Sequence, residues 1–578
     1  MPRPDLILLH PPSVYDFRER FAMYGPISDV IPSTPIFEMY PLGFVSMVGY
    51  LERHGYHARI INLAVKMLRD PKFDVERLIE RLDPLAFGID LHWLVHAEGS
   101  LRVAEIVKKH HPETPVILGG LSATYYQREI ITDYPQVDYI LRGDSTEEPL
   151  LRLMRCIEEG REPEGVPNLT WRDRDGRRRE NPLSYVPESL DELSLDYSDM
   201  VRLVLRHRDL TGNLPYENWL EYPFTALLTC KGCLYDCTTC GGSRSAFRCF
   251  FGRERPAFKS PERLVSEMKT IEEYIKGPIF LLGDLRQGGR KYASRVLEEI
   301  RREGVENTVT FELFTPAPAG YLKEIARSCR SFTMEISPET HDDEVRRLQG
   351  RPYTTAGLEK TIEEALRMGC ERMDVFFMVG LPGQTVGSVM ETVEYSRRLV
   401  ERFDDGRVHP FIAPLAPFLD PGSLAFEDPD RYGYRRLYTT LEEHRRALLE
   451  PCWKRFLNYE TRWMTRDEIA EVTYEAMYRI NELKGERGLI EEEKAERVAE
   501  GLSLAREVMH RIDEIYAATS DPLERRRRLE ELRREVEVVN RASLYQKRTL
   551  RVTREAGIKK TALFRYLIDR LSRVFRSP

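Results

Sequence analysis

The chain has 578 residues, 42% of them hydrophobic and 31% charged, with a formal net charge of −7. That length supports about three or four domains with ample core; the balance is that of a soluble globular protein, and the acidic total gives no global case for nucleic acid. Nine cysteines, four of them between Cys230 and Cys240, do not form a secreted disulfide framework. No apolar run reaches the roughly eighteen residues of a membrane span, and Met1 to Pro12 lacks a basic start and a cleavage site. A reducing, cytoplasmic setting is predicted.

Residues 1–155 alternate short apolar strands with helical stretches. Strands are predicted at Leu6 to Leu9, Ala58 to Leu63, Leu85 to Ile89, Val116 to Leu118 and Tyr139 to Leu141. Helices fall between them, such as Leu42 to His54 and Ser100 to His110. The alternation argues a parallel, doubly wound α/β sheet of flavodoxin/Rossmann-like order, whose ligands lie beyond the carboxyl ends of the strands at the switch point. The residues at those ends are His10-Pro11-Pro12, Asp90-Leu91-His92, Gly119-Gly120 and Arg142-Gly143-Asp144. A Gly-Gly after a strand also serves simply as a tight turn.

From 156 to 220 the chain reads as a connector. Asp175-Gly176 between two short extended runs is a hairpin signal, and Pro187 to Leu193 reads as linker.

Residues 221–425 carry six predicted strands: Thr225 to Thr229, Ile279 to Gly283, Val309 to Phe314, Phe332 to Ile336, Met373 to Val379 and Pro410 to Ala413. Helical stretches at Pro261 to Ile275, Ala293 to Arg302, Thr355 to Met368 and Val386 to Arg402 separate them. Six β/α units make an open partial (β/α)6 barrel, with its site at the carboxyl ends of the strands. Just past the first of them stands Cys233-Leu-Tyr-Asp-Cys237-Thr-Thr-Cys240. An iron–sulfur cube normally takes four protein thiolates, so a tight set of three suggests one iron kept open for a small molecule. The upstream Cys230 leaves two rival readings, a zinc site or a closed four-thiolate cluster. Zinc sites more often pair their cysteines in two separated sets.

The spacing CxxxCxxC after a strand resembles the radical S-adenosylmethionine (SAM) superfamily. The preceding segment, with Pro41-Leu42-Gly43, Val116 to Gly120 and Val137 to Asp144 in that order, resembles the cobalamin-binding domain that precedes many radical SAM domains. The resemblance implies a [4Fe–4S] cluster on Cys233, Cys237 and Cys240, with SAM on the open iron and cleaved reductively to methionine and a 5′-deoxyadenosyl radical. It carries cofactor contacts onto Asp284 for the SAM amino group, Glu339 and Thr340 for the ribose, and the turn Gly380 to Gly383 for the adenine. Gly43, Asp90, His92, Gly119, Gly120 and Gly143 become candidates on the cobalamin side. Three departures stand out: Thr239 where an aromatic residue is usual, Asp144 where glutamate is usual, and Cys230 where serine is usual. Cys230 is read as structural, with a redox or ligand role as the alternative. The DxHxxG motif, which gives cobalt a histidine in mutases and methionine synthase, belongs after the first strand, where His10-Pro11-Pro12 stands instead. His92 is a near-miss, a cobalt ligand or a hydrogen-bonded loop residue.

Further along, His409 to Ser423 is rich in proline and aromatic residues, either lining an apolar pocket or stiffening the exit from the barrel. Cys249 reads as a buried thiol. Residues 426–578 are mostly helical and densely charged, from about Arg431 onward. Glu524 to Glu535 mixes four consecutive arginines with glutamates at helical spacing, as on a solvated helix face. Leu563 to Phe575 carries one apolar stripe, suited either to docking on the protein's own body or to peripheral contact with a membrane surface.

The expected activity is that of a cobalamin-dependent radical SAM enzyme, a methyltransferase acting on an unactivated carbon of a small-molecule or lipid substrate. An external electron donor such as ferredoxin or flavodoxin would reduce the cluster. The alternatives are a non-methylating bond or ring formation, and a cobalamin/iron–sulfur electron carrier that does not cleave SAM.

Overall fold

The computed structural model describes residues 3–20, 36–193, 195–221, 223–415, 418–541 and 557–559. The first sheet contains β1 (Leu6–His10), β2 (Ala58–Asn62), β3 (Ala86–Asp90), β4 (Val116–Gly119), β5 (Tyr139–Leu141), β6 (Leu169–Arg172) and β7 (Arg178–Glu180). Their order is β2-β1-β3-β4-β5-β6-β7, with the first five parallel. This is the doubly wound order expected, with its switch point between β1 and β3. β1 and β3 are buried at every position because both faces of a parallel sheet are covered by helices. The Asp175-Gly176 hairpin forms as predicted, but β6 and β7 extend the sheet antiparallel beyond β5. The sheet therefore runs past residue 155 into the connector.

The second sheet holds β8 (Thr225–Leu228), β9 (Ile279–Leu282), β10 (Val309–Leu313), β11 (Phe332–Glu339), β12 (Met373–Val379) and β13 (Val408–Pro414), all parallel and paired in chain order. β8 and β13 do not pair with each other, so the barrel is open. β11 runs three residues past its predicted end through an irregularity between Ile336 and Glu339, which brings Glu339 up to the mouth of the barrel.

Three long helices follow, Arg466–Glu486, Glu492–Ala518 and Pro522–Arg541. The first closes on the barrel, with the Lys484 ammonium 3.6 Å from the centre of the Phe411 ring. A short antiparallel ribbon, Tyr434–Arg436 with Tyr459–Thr461, stands within the mostly helical region expected. The arginines of the third helix pair with Glu524, Glu530 and Glu531 along its exposed face. Among the described residues no helix is long and apolar enough to cross a membrane. The amphipathic stretch Leu563 to Phe575 lies outside the described residues.

Candidate functional site

The cysteine loop leaves β8 and is pinned on all sides. Leu234 N–H donates to Gln287 Oε1 (2.9 Å), Thr238 N–H to the Gln349 carbonyl (2.9 Å), and Gly241 N–H to Asp420 Oδ2 (3.0 Å). Asp236 accepts from both Ser245 N–H and its hydroxyl at 2.7 Å. Thr239, where an aromatic side chain was expected, is 2% exposed and accepts from Gln349 Nε2 at 2.7 Å. Its side chain braces the loop from within.

Two of the three thiols receive backbone donors: Tyr235 N–H points at Cys233 Sγ (3.4 Å) and Gly242 N–H at Cys240 Sγ (3.3 Å). The third, Cys237, lies beside the half-buried Arg351 guanidinium. Burial pushes the Cys233 thiol up to about 11, while the three sulfurs influence one another electrostatically. Cys240 is open to solvent in a recess walled by protein. Donors and one cation aimed at three neighbouring sulfurs are the environment an anionic thiolate-bound cluster requires. Cys230 is 7% exposed, its thiol pushed up to about 12 by burial, with Cys233 adding to the shift, and directed to the Gly232 carbonyl. Cys249 is a correction: it is exposed, because the helix Arg244–Phe251 buries Ala246 and Phe251 and turns Arg248 and Cys249 outward.

The predicted contacts at the other strand ends divide. Glu339 sits at the end of β11 with a left-handed backbone (φ 68°), 4% exposed, and its Oε1 is 3.0 Å from Arg351 Nε. Arg351 thus links Glu339 to Cys237. Asp284 is 1% exposed and saturated: Oδ1 accepts Arg286 N–H and Nε, both at 2.9 Å, while Oδ2 accepts Phe314 N–H (3.0 Å) and Arg286 Nη2. Thr340 is fully enclosed beside Thr392. At Gly380 the N–H donates to Gln384 Oε1 (2.8 Å) and the carbonyl accepts from the Tyr434 hydroxyl (2.7 Å). Gly383 completes that turn. The proline-rich exit runs into the core, with Phe418 and Leu419 buried and Asn458 holding Leu419 at both its N–H and its carbonyl.

Sequence reasoning missed Arg351 and a row of acids inside the barrel. Glu312, Glu335, Asp374 and His409 are register partners across β10 to β13. Glu312 accepts from Gly283 N–H at 2.6 Å and steadies that turn; burial pushes it up to about 7. Glu335, 8% exposed, is raised well above the ordinary range by burial, with Glu312 and Asp374 adding to the shift. A polar residue at every second position of β10 and β11 was the available signal.

On the first sheet, His10 Nδ1 lies 2.8 Å from Asp90 Oδ1 and its Nε2 3.1 Å from the Phe37 carbonyl, which also meets His96 Nε2 at 2.8 Å. Gly119 pairs with Asp90 and Leu141 in neighbouring strands, Gly143 N–H donates to Thr124 Oγ1 (3.1 Å), and Gly43 opens the helix Gly43–Arg53. Gly120 (φ 117°) lies so close to His92 that an added Cβ would be 2.5 Å from the His92 Cα. Ser13 Oγ, Asp90 Oδ2 and His96 Nδ1 are buried with no hydrogen-bond partner among the described residues. Unpaired polar atoms gathered at the carboxyl ends of β1 and β3 fit a polar ligand at the switch point.

The two sheets meet at these edges. Lys231, in the cysteine loop, donates to the Asp144 carbonyl (2.6 Å) and Ser145 Oγ (3.3 Å), and lies close enough to His92 to lower its basicity. Family models agree with this division: residues 30–151 match the B12 binding domain and residues 227–396 the radical SAM superfamily. The chain belongs to the cobalamin-binding-domain radical SAM superfamily. As such it is a radical SAM enzyme whose cofactors are a [4Fe–4S] cluster, SAM and cobalamin.

Relatives are distant. An uncharacterised methyltransferase of Pyrococcus horikoshii is 23% identical over 367 residues, covering 62% of this chain and 73% of the relative. The anaerobic magnesium-protoporphyrin IX monomethyl ester cyclase of Rubrivivax gelatinosus is 22% identical over 374 residues, 62% of each chain. Among solved structures, the radical SAM methyltransferase TsrM of Kitasatospora setae, with cobalamin and a [4Fe–4S] cluster bound, superposes with a TM-score of 0.53. The match is at 18% identity over 75% of this chain and 80% of TsrM.

Proposed function

We propose that this radical SAM enzyme uses cobalamin to transfer a methyl group to an unactivated carbon of a small-molecule or lipid substrate. The observation that carries the reading is a loop holding three thiols, Cys233 and Cys240 under backbone donors and Cys237 beside Arg351, that is tied to the ligand edge of the cobalamin-type sheet through Lys231. When bound, the cluster and SAM supply a one-electron route to a carbon-centred radical, and cobalamin supplies a methyl carrier.

In this reading Cys233, Cys237 and Cys240 hold the cluster, and Arg351 offsets its negative charge while fixing Glu339 toward the bound nucleoside. Asp284 shapes the neighbouring turn through Arg286, and Gly380 and Gly383 give the flat surface of the adenine end. Asp90, His92, Gly119, Gly120 and Gly143 line the cobalamin edge, and Gly43 opens the helix behind it. The solvent-open side of Cys240 is the approach for an external electron donor of the ferredoxin or flavodoxin kind. Methyl transfer is favoured because methyltransferases stand among the relatives in both sequence and fold. A ring-forming outcome has its own support in the cyclase relative.

Anaerobically reconstituted protein, incubated with SAM and reductant, is expected to form 5′-deoxyadenosine and, once a methyl acceptor is present, S-adenosylhomocysteine as well. Deoxyadenosine without S-adenosylhomocysteine would favour the non-methylating reaction. Formation of neither product would overturn the proposal.

A further inference from the structure

The row Glu312, Glu335, Asp374 and His409 crosses the inner face of the barrel. The alternate positions Phe311, Met334, Met373 and Val408 belong to the core under the outer helices, so the row points into the lumen. A barrel lumen is ordinarily filled by side chains. Here Thr310, Asp374, Phe376 and His409, all on the inner face, keep part of their surface open. The members of the row also differ in how they are satisfied. Glu312 accepts from Gly283 N–H at 2.6 Å, and Asp374 pairs with Arg372 Nε at 2.7 Å. His409 is pushed down to about 3 by burial, with Arg372 and Lys484 adding to the shift, and brings no charge. Glu335, between the two other acids, is 8% exposed and makes no hydrogen bond or ion pair among the described residues. The charged groups that act on it, Glu312 and Asp374, are both acids.

A carboxyl held nine-tenths buried without a partner is costly, and it marks a place where a donor is to be received. One layer nearer the carboxyl ends of the strands, Phe376 and Phe411 stack at 4.9 Å with their planes 20° apart. They form an apolar wall between the acids and the cofactor end, where Glu339 stands roughly 10 Å farther along β11 at the usual rise of a strand. Lys484 rests on the Phe411 ring and Arg372 lies near it, but neither acts on Glu335. We propose that the lumen receives an arylalkylamine, its ammonium nitrogen hydrogen-bonded to Glu335 and its apolar body lying along Phe376 and Phe411. This rests on the radical SAM reading above and deepens it by naming the substrate class. An ammonium brings three donors and a charge that offsets the flanking acids, whereas a neutral hydroxyl would satisfy one oxygen and leave the row uncompensated. With the nitrogen held at the row, the carbon offered to the cofactors is at the far end of the body, which is where an unactivated carbon would be. In the empty lumen burial raises the Glu335 carboxyl well above its ordinary range, so an arriving ammonium displaces a proton to solvent.

The test uses full-length protein reconstituted anaerobically with cluster and cobalamin. It is titrated calorimetrically with phenethylamine and with phenethyl alcohol, its neutral counterpart, in two buffers of different ionisation enthalpy. The amine is expected to bind at least about tenfold tighter than the alcohol, and its binding to release a proton that the alcohol's does not. Glu335→Gln should lose both the preference and the proton release while iron content and SAM affinity stay at the parent's level. Equal binding of amine and alcohol by the parent protein overturns the proposal without recourse to any variant, as does binding of neither. An amine preference that survives in Glu335→Gln overturns it as well. So does a variant that loses SAM affinity, since the row would then serve the cation of SAM itself. Absence of 5′-deoxyadenosine from the same preparation supplied with SAM and reductant overturns the radical SAM reading, which the titrations do not measure.

Discussion

Arg253 clasps Asp144 through two nitrogens, Nη2 at 2.9 Å from Oδ1 and Nε on Oδ2, with both side chains more than nine-tenths buried. Asp144 follows β5 of the first sheet, and Arg253 follows the helix behind the cysteine loop. Lys231 adds its bond to the Asp144 carbonyl at 2.6 Å. The acid at the end of β5 is therefore the point where the first sheet holds the cysteine-bearing segment.

Removing one partner of a buried, bidentate pair leaves an uncompensated charge, at a cost of about 3–5 kcal/mol. Asp144→Ala is expected to lose about that much in a denaturant melt of the apo-protein, and Asp144→Ala with Arg253→Leu to lose less, since no charge is then stranded. A double-mutant cycle gives the coupling directly. Additive losses from the two substitutions would contradict the clasp.

Replacing Cys233, Cys237 or Cys240 with alanine should abolish the roughly 400 nm absorbance of a reconstituted four-iron cluster. Cys230→Ala should retain iron and sulfide at the parent ratio, because the Cys230 thiol is buried and turned to the Gly232 carbonyl. Loss of the cluster in Cys230→Ala would make this a closed, four-thiolate site.

Gly350 has φ 89°, and an added Cβ would lie 2.6 Å from the Asp236 carbonyl oxygen and 3.2 Å from the Cys237 Cα. Gly350→Ala combines left-handed strain with a backbone clash, about 2–4 kcal/mol in total. Its effect should be local: iron content after reconstitution falls severalfold while the far-ultraviolet circular dichroism is unchanged. Normal iron loading in this variant would mean that the turn does not set the cysteine loop.

Glu335 and Glu312 contribute a pH dependence of stability with a definite sign. Their folded-state values lie above the ordinary 4.5, Glu312 at about 7 and Glu335 well above the usual range. The folded chain therefore holds protons that the unfolded chain releases, so the stabilisation is complete below 4.5 and is lost as pH rises through the folded values. Each retained proton gives a slope of up to about 1.4 kcal/mol per pH unit in that window. Glu335→Gln should flatten the decline between pH 4.5 and neutrality, measured by denaturant melts at successive pH values. A decline as steep as the parent's would show that Glu335 is charged in the native state.

Much of this protein is written locally. The apolar runs of β1, β3 and β4 and the helices between them carry the doubly wound order, since both faces of a parallel sheet must be apolar wherever helices cover it. Cys233, Cys237 and Cys240 stand out by spacing, because three cysteines on one tight loop need no distant partner to be recognised, and the resemblance supplies the chemistry. What the chain could not show locally are relations between residues far apart in it. Arg351 joins Glu339 to Cys237, Glu312 meets Glu335 and Asp374 across strands, and Gly120 presses on His92, each through register or packing set by the whole barrel or sheet. The same holds for Thr239 and Cys249, whose surroundings are chosen by Gln349 and by the orientation of one helix. Periodicity and motif spacing determined the two folds and singled out the three cysteines; burial and hydrogen-bond partners, which saturate Asp284 and leave one Asp90 oxygen unpaired among the described residues, were settled only when tertiary packing satisfied some polar groups and left others open.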